Sequence, residues 1–435
     1  MKKFAFLLAF FFLLVSSISA VATPNLPSFS SKSVVVASLS TSQILFDTNG
    51  DEKFAPGALT QVMTAIVALD KLDIEKTVTV KDLSTYIKQG DSFVNIKEGE
   101  QWTVKELVTA MIVGNGDDVA MQLALEVSET IEDFVALMNE KASQLKLQNT
   151  KFASPKAVKD DNHYSTANDM AIIAREAFSK PSLQAALKLK TYVLPSTEKS
   201  VQRALRTNNY LLDNFLQTKY YYSSSMGGKT GYLGSTVCNT IQYAKKGDSE
   251  IIAVVMGGKL ENETIGSLVD AKKALEFAFE NFTYNKVVSE GEILADVKLT
   301  NARGRDKFTL SADYEVGVFI ENGINDVPEK TVTPSANKFK APIKAGQIFG
   351  ETKVIYLGNE VGTVPLVATE NIDSSAMGSV GGGIGWFFGS WIFKLILIGF
   401  VLYLAYYFLY ARPKREREIR RQKRRQMIEE RLRNK

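Results

Sequence analysis

Residues 56–69 read Pro56-Gly57-Ala58-Leu59-Thr60-Gln61-Val62-Met63-Thr64-Ala65-Ile66-Val67-Ala68-Leu69. The Pro-Gly pair breaks the preceding segment. Leu59, Val62, Met63, Ile66 and Leu69 then recur at the spacing of a helix with one buried face. Upstream, Ser33 to Ser38 and residues 43–47 are β-rich runs joined by Ser and Thr, which predicts a hairpin. Downstream, residues 104–112 and 117–127 carry helical patterns separated by Gly114-Asn115-Gly116. Thr130 with Asp133 resembles a capping box ahead of a further helix, and residues 170–178 predict another. Strands return at 220–225, after Gly231 and at 250–256, and residues 271–279 close the region as a helix. Strands at both ends with helices between predict one α+β domain over residues 31–281.

Residues 282–370 have a different character. Short β-type runs at 293–299, 307–310, 315–320 and 353–357 are separated by Gly, Asn and Pro, with no helical period. A small all-β sandwich is expected. Residues 371–385 form a Gly/Ser-rich stalk.

The termini carry targeting signals. Lys2 and Lys3 precede an apolar run, residues 4–15, and small residues ending Ala20-Val21-Ala22. This order predicts a signal peptide over residues 1–22; an uncleaved anchor is the alternative. Residues 386–410 are almost wholly apolar and aromatic, with Trp386 and Trp391 at one rim and Tyr406, Tyr407 and Tyr410 at the other, as expected of a transmembrane helix. Lys394 lies a turn inside it and either snorkels to the surface or meets a partner's acid. Residues 411–435 carry twelve Lys/Arg and four Glu, which places this tail in the cytoplasm and the bulk of the chain outside. Anionic lipid is the tail's expected partner.

Without Lys2, Lys3 and the tail, the chain has 38 basic and 44 acidic residues, a net of −6. Such an ectodomain gives no reason to expect nucleic-acid binding. Cys238 is the only cysteine and His163 the only histidine. No intramolecular disulfide can form, no Cys/His metal cluster exists, no cofactor is implied, and a Ser-His-Asp triad would need His163 as its base.

Four segments, taken together, resemble one family: Pro56 to Gln61 opening the first helix, Gly114-Asn115 between two helices, His163-Tyr164-Ser165-Thr166-Ala167 before a helix, and Lys229-Thr230-Gly231 after a β-type run. Their order and spacing are similar to the serine-type D-alanyl-D-alanine carboxypeptidases of peptidase family S11, the low-molecular-mass penicillin-binding proteins. The resemblance covers nearly all of residues 31–370. It implies a penicillin-binding-protein/β-lactamase-like transpeptidase domain followed by the β domain. It also implies a chemistry. A serine at a helix start attacks the D-Ala-D-Ala carbonyl, and a lysine one turn later takes its proton. A second serine and an asparagine from an interhelical loop serve the proton relay and hold the substrate amide. A K-T-G strand receives the substrate carboxylate.

The sequence departs from that pattern at its centre. Ala58 stands at the nucleophile position, Gln61 at the base position and Val113 at the second serine. Asn115, Lys229, Thr230 and Gly231 are retained and remain candidates for substrate binding. A methyl group cannot attack a carbonyl, and a glutamine amide is no base near neutral pH. A helix turns ~100° per residue, so Thr60 points away from position 58, Thr64 lacks a basic neighbour, and the resemblance makes His163 mainly structural. Ser154-Pro155-Lys156-Ala157 replaces the family's Asn-Pro-His-Gly, Leu233 and then Thr236-Val237 replace its Thr and Ala-Gly, and no arginine occurs between Arg206 and Arg303. The expectation is a pseudoenzyme that binds peptidoglycan stem peptide or a wall-synthesis protein. The alternatives are an active carboxypeptidase with unorthodox groups and a scaffold working through its membrane helix and basic tail.

Overall fold

The computed structural model describes residues 25–375 apart from 262 and 303, and residues 391–412 with a few positions of the tail. The expected signal peptide, most of the stalk, the first residues of the expected span and most of the tail lie outside the described residues.

β1 (Ser33–Ser38) and β2 (Ile44–Thr48) form the predicted antiparallel hairpin. A 3-10 turn, Gly57–Leu59, leads into α1 (Thr60–Lys71). The ribbon β3 (Thr77–Thr79) with β4 (Gln101–Thr103) precedes α2 (Val104–Gly114) and α3 (Asp117–Val127). α4 (Ile131–Gln144) begins at Thr130, whose hydroxyl accepts the Asp133 N–H as the spacing predicts. α5 (Ala167–Ser179) and α6 (Pro181–Leu187) follow, then the hairpin of β5 (Thr191–Leu194) and β6 (Arg203–Arg206). The chain returns to the sheet as β7 (Ser225–Leu233), β8 (Val237–Lys246), β9 (Ser249–Glu261) and β10 (Thr264–Ile265), and α7 (Gly266–Asn281) completes the region.

One reading is corrected here. Residues 220–225 are not a strand. Thr218–Tyr220 is a 3-10 turn, and the strand starts at Ser225. Tyr220 is buried through its ring, which stacks on Tyr210, and its hydroxyl accepts the Ile265 N–H, so aromatic burial rather than strand pairing explains the apolar run.

The sheet runs β2-β1-β9-β8-β7, antiparallel throughout, with β10 paired to β9. It is covered on both faces. Val35 and Ala37 of β1 join a large core with α1 to α6, while Val34 and Val36 join a second core with Leu268, Ala271 and Leu275 of α7. A strand buried on both faces reads as a continuous apolar run, which is why residues 33–38 show no alternation. Each such valine contributes on the order of 1.5–3 kcal/mol through burial.

The remaining strands are β11 (Phe282–Val288), β12 (Ile293–Thr300), β13 (Lys307–Ala312), β14 (Val316–Glu321), β15 (Glu329–Pro334), β16 (Lys338–Lys340), β17 (Ile348–Tyr356) and β18 (Asn359–Ala368). The chain divides into two compact units. The first takes the residues up to 290 with 314–331 and 352–364; the second takes 291–313, 332–351 and 365 onward. In the first, β11 pairs with β14. In the second, β12 lies between β13, antiparallel, and β16, parallel. Phe308, Phe339 and Phe349 meet there edge to face, with centroids 4.8–5.9 Å apart.

α8 (Trp391–Tyr406) has 16 residues and passes into a π-helical turn, Tyr407–Ala411. Its rise is about 24 Å, and no helix among the described residues is long and apolar enough by itself to cross a membrane.

Candidate functional site

The four segments singled out in the sequence converge beside β7, the edge strand of the main sheet. The approach is made possible by two glycines. A Cβ on Gly231 would lie 2.8 Å from the Leu59 backbone N and 3.0 Å from that of Ala58. Gly57 has a φ of +60°, and a Cβ there would meet the Tyr232 carbonyl at 2.9 Å. The turn carrying position 58 and the Lys229-Thr230-Gly231 strand are therefore packed backbone to backbone.

The amide nitrogen of Gln61 and the amine of Lys229 beside that seam are committed to local partners. Ala58 is 8% exposed and presents its methyl to a cleft. Gln61 is fully buried, and its Nε2 donates to Asp117 Oδ1 at 3.0 Å. Asp117 Oδ2 accepts the Ser92 N–H at 3.0 Å. Burial pushes the Asp117 carboxyl above the ordinary aspartate range, against the pull of the Ser92 and Gln61 hydrogen bonds. Val113 is buried in α2.

Lys229 is the residue whose setting differs most from the sequence reading. It is neither a surface lysine nor a group lining the cleft. It is 2% exposed, and its Nζ donates to the backbone carbonyls of Ile112 at 2.8 Å and Met111 at 3.2 Å. These belong to the last turn of α2, where helix carbonyls lack intrahelical partners. Val113, next along the helix, provides no hydroxyl. Burial pushes the amine down to about 7, opposed by the nearby Asp117 charge. Thr230 is likewise turned inward, its Oγ1 3.1 Å from that of Thr240.

The other polar groups weighed at this site, Thr60, His163 and Thr64, are also engaged. Thr60 Oγ1 lies 2.8 Å from His163 Nε2, and His163 Nδ1 accepts the Ala153 N–H at 3.0 Å. That acceptor role leaves the ring proton on Nε2, pointing at Thr60, so the imidazole cannot take the Thr60 proton. Burial pushes His163 down to about 4. Thr64 donates to the Pro155 carbonyl at 2.5 Å.

A cleft of about 730 Å³ opens beside this seam. Ala58, Asn115 and Asp117 line it, as do Lys88, Asp91, Lys156 and Lys159. Asn115 caps α2 in the left-handed conformation, φ 54°, and its Oδ1 has no hydrogen-bond partner. Lys156 is 5% exposed and forms an ion pair with Asp91 across the cleft wall. Asp91 Oδ2 also accepts the Lys88 N–H at 2.7 Å. Sequence reasoning noted Lys156 only as a departure, and it passed over Asp91 and Asp117. The 65 residues separating Asp91 from Lys156 carry no signal that they meet. Among the described residues no His, Cys, Asp and Glu cluster could hold a metal ion.

A two-faced antiparallel sheet with a short turn-to-helix start packed against its K-T-G edge strand defines the penicillin-binding class of fold. Comparison with known proteins makes the assignment narrower. The family profile described as D-alanyl-D-alanine carboxypeptidase, peptidase S11, matches residues 20–260, and that of the penicillin-binding protein 5 C-terminal domain matches residues 282–374. D-alanyl-D-alanine carboxypeptidase DacF of Bacillus subtilis is 30% identical over 348 residues, covering 78% of this chain and 85% of its own. Among solved structures, penicillin binding protein 5 of Haemophilus influenzae matches with a TM-score of 0.60 at 23% identity, over 81% of this chain and 100% of that one. A peptidoglycan synthesis regulatory factor of Streptococcus pneumoniae matches with a TM-score of 0.67 at 17% identity, over 80% and 100%. The chain belongs to the peptidase S11 family of D-alanyl-D-alanine carboxypeptidases.

Proposed function

We propose that the protein is a catalytically inactive member of this family that faces the cell wall and binds peptidoglycan stem peptide without cleaving it. One observation carries the reading. The reacting position bears a methyl group, and the polar groups nearest to it are consumed internally: Gln61 by Asp117, Lys229 by the carbonyls of α2, Thr60 by His163. Acyl transfer needs a nucleophile and a base in mutual hydrogen-bond reach, and this set offers none. The cleft nevertheless remains open, with Asn115 in its wall. The relatives' activity on D-Ala-D-Ala peptides supplies the class of ligand.

The same proposal places the chain at the membrane. Residues 1–22 direct export, residues 386–410 cross the bilayer, and the basic tail lies against anionic lipid on the cytoplasmic side. Support comes from the sequence order and from α8, where Leu397, Phe400 and Leu402 are all more than half exposed, an apolar surface that calls for lipid.

The test uses the full-length protein in detergent with a fluorescent penicillin and with a labelled D-Ala-D-Ala peptide. Wild type and Ala58→Ser are both expected to form no covalent adduct, since the serine would still lack a base, while the peptide binds reversibly and leaves intact. A stable penicillin adduct or release of D-alanine by the wild type overturns the reading. Peptide that fails to bind turns attention to a wall-synthesis protein or to the membrane helix and tail as the working surface.

A further inference from the structure

The site has lost the group expected to hold the ligand's carboxylate. Lys229 is sealed beneath the cleft with its amine on two α2 carbonyls. No arginine occurs between Arg206 and Arg303 to replace it. A peptide ending in a free carboxylate still needs a cation, because an unpaired carboxylate moved from water into a cleft costs several kcal/mol.

The cleft supplies that cation elsewhere. Lys156 reaches it from the loop after α4, carrying a charged head that is 94% withdrawn from solvent. Its counter-ion Asp91 sits at the end of a tight turn, Lys88-Gln89-Gly90-Asp91, in which the Asp91 N–H donates to the Lys88 carbonyl at 3.1 Å. Gly90, with φ +98° and no heavy atom near its Cβ position, lets that turn stand free of the wall. Lys88 and Lys159 line the same cleft, exposed. Against these three lysines stand Asp91 and Asp117, and Asp117 is already bound to Gln61 and Ser92. The balance in the cleft favours an anion.

Resting on the stem-peptide reading above, we infer that Lys156, not Lys229, receives the terminal carboxylate of the bound peptide, with Asp91 as the internal acid that occupies the lysine when the cleft is empty. The ligand class is a peptide ending in a free D-amino-acid carboxylate. Asn115 lines the same cleft. No bond is made or broken; the event is an exchange of one carboxylate for another on a buried ammonium, and the displaced Asp91 keeps the Lys88 N–H. The carboxylate-binding function expected of Lys229 falls instead to Lys156, which stands where the resemblance places a histidine.

The test compares two labelled peptides that differ only at the C-terminus, D-Ala-D-Ala carboxylate and its carboxamide, on the full-length protein in detergent. The wild type is expected to prefer the carboxylate by at least about tenfold, the worth of one charge-assisted hydrogen bond. Lys156→Met removes the preference, and the two peptides then bind alike. Lys156→Arg keeps it, and Asp91→Asn tightens carboxylate binding severalfold because the internal competitor is gone. Asp91→Asn and Lys156→Arg both preserve the packing, so the inference stays testable if Lys156→Met fails to fold. A preference that survives Lys156→Met and vanishes in Lys229→Met overturns this inference while leaving the stem-peptide reading intact. Absence of any binding in the wild type overturns both.

Discussion

The floor of the site and its rim are built from the same kinds of residue and have opposite properties. On the floor, Gln61, Lys229, Thr60 and His163 are polar or ionisable, and all are buried and bonded within the protein. At the rim, Lys88 and Lys159 are exposed, and Lys156 is held by a single acid. The polar groups beside position 58 are part of the packed interior, while Lys88 and Lys159 at the cleft mouth stay in solvent. The two sets fall on different side chains, so they can be perturbed separately.

Perturbing the floor should therefore cost stability, and perturbing the rim should cost binding alone. The largest effect expected is on acid stability. His163 is held neutral, with its value pushed down to about 4 from an unfolded 6.5. The unfolded chain thus binds the extra proton across that window. Stability from this group is complete above pH 6.5 and falls by about 3 kcal/mol as the pH drops to 4. Asp117 and Asp118, pushed up by burial, titrate in the opposite sense, so the comparison must be with His163→Asn. That variant should be less stable at pH 7 in urea unfolding but should lack the histidine's share of the acid loss. Equal acid slopes in the two proteins would remove the sealed histidine from the picture.

A smaller effect is expected at the seam. Gly231→Ala pushes a methyl to within 3.0 Å of the Ala58 and Leu59 backbones, and the two segments must part. A loss of about 2 kcal/mol in the urea midpoint analysis is expected. A neutral result would mean that the turn at position 58 is not clamped to the strand. The smallest effect belongs to the rim. Lys88→Ala and Lys159→Ala should each shift stability by no more than about 0.5 kcal/mol while weakening peptide binding measurably. A large stability loss in either would erase the distinction between floor and rim.

Much of the fold, though not this division, could be read before the structure was seen. The helical spacing after Pro56-Gly57, the double-sided apolar run of residues 33–38 and the cap at Thr130 are local patterns, and each matches its element. The gathering of positions 58, 61, 113 and 229 followed from a motif order. Other parts were illegible for physical reasons. The hairpin of β5 and β6 depends on Arg203 gripping Glu100, about a hundred residues earlier, at 3.0–3.1 Å. α6 is only seven residues long, too short for a periodic signal. The setting of Lys229 depends on the Met111 and Ile112 carbonyls, which lie more than a hundred residues from the triplet. Lys156 and Asp91 meet only because two loops are brought to one cleft.

The order of strands in the main sheet has a consequence for how the chain acquires its structure. β1 sits between β2 and β9, with Val34 opposite Val255. More than two hundred residues must be synthesised before the first of these valines meets its partner, and such distant pairing is slow because loop closure precedes any reward. Until then β1 and β2 are a lone hairpin with an apolar, hydrogen-bond-hungry edge. A chain threaded through a membrane from its N-terminus would present that edge on the far side while β9 is still to come. The sheet can close only once β9 has been made, so the N-terminal hairpin is the segment most dependent on protection until then and the natural point of failure for any chain cut short before Ile251.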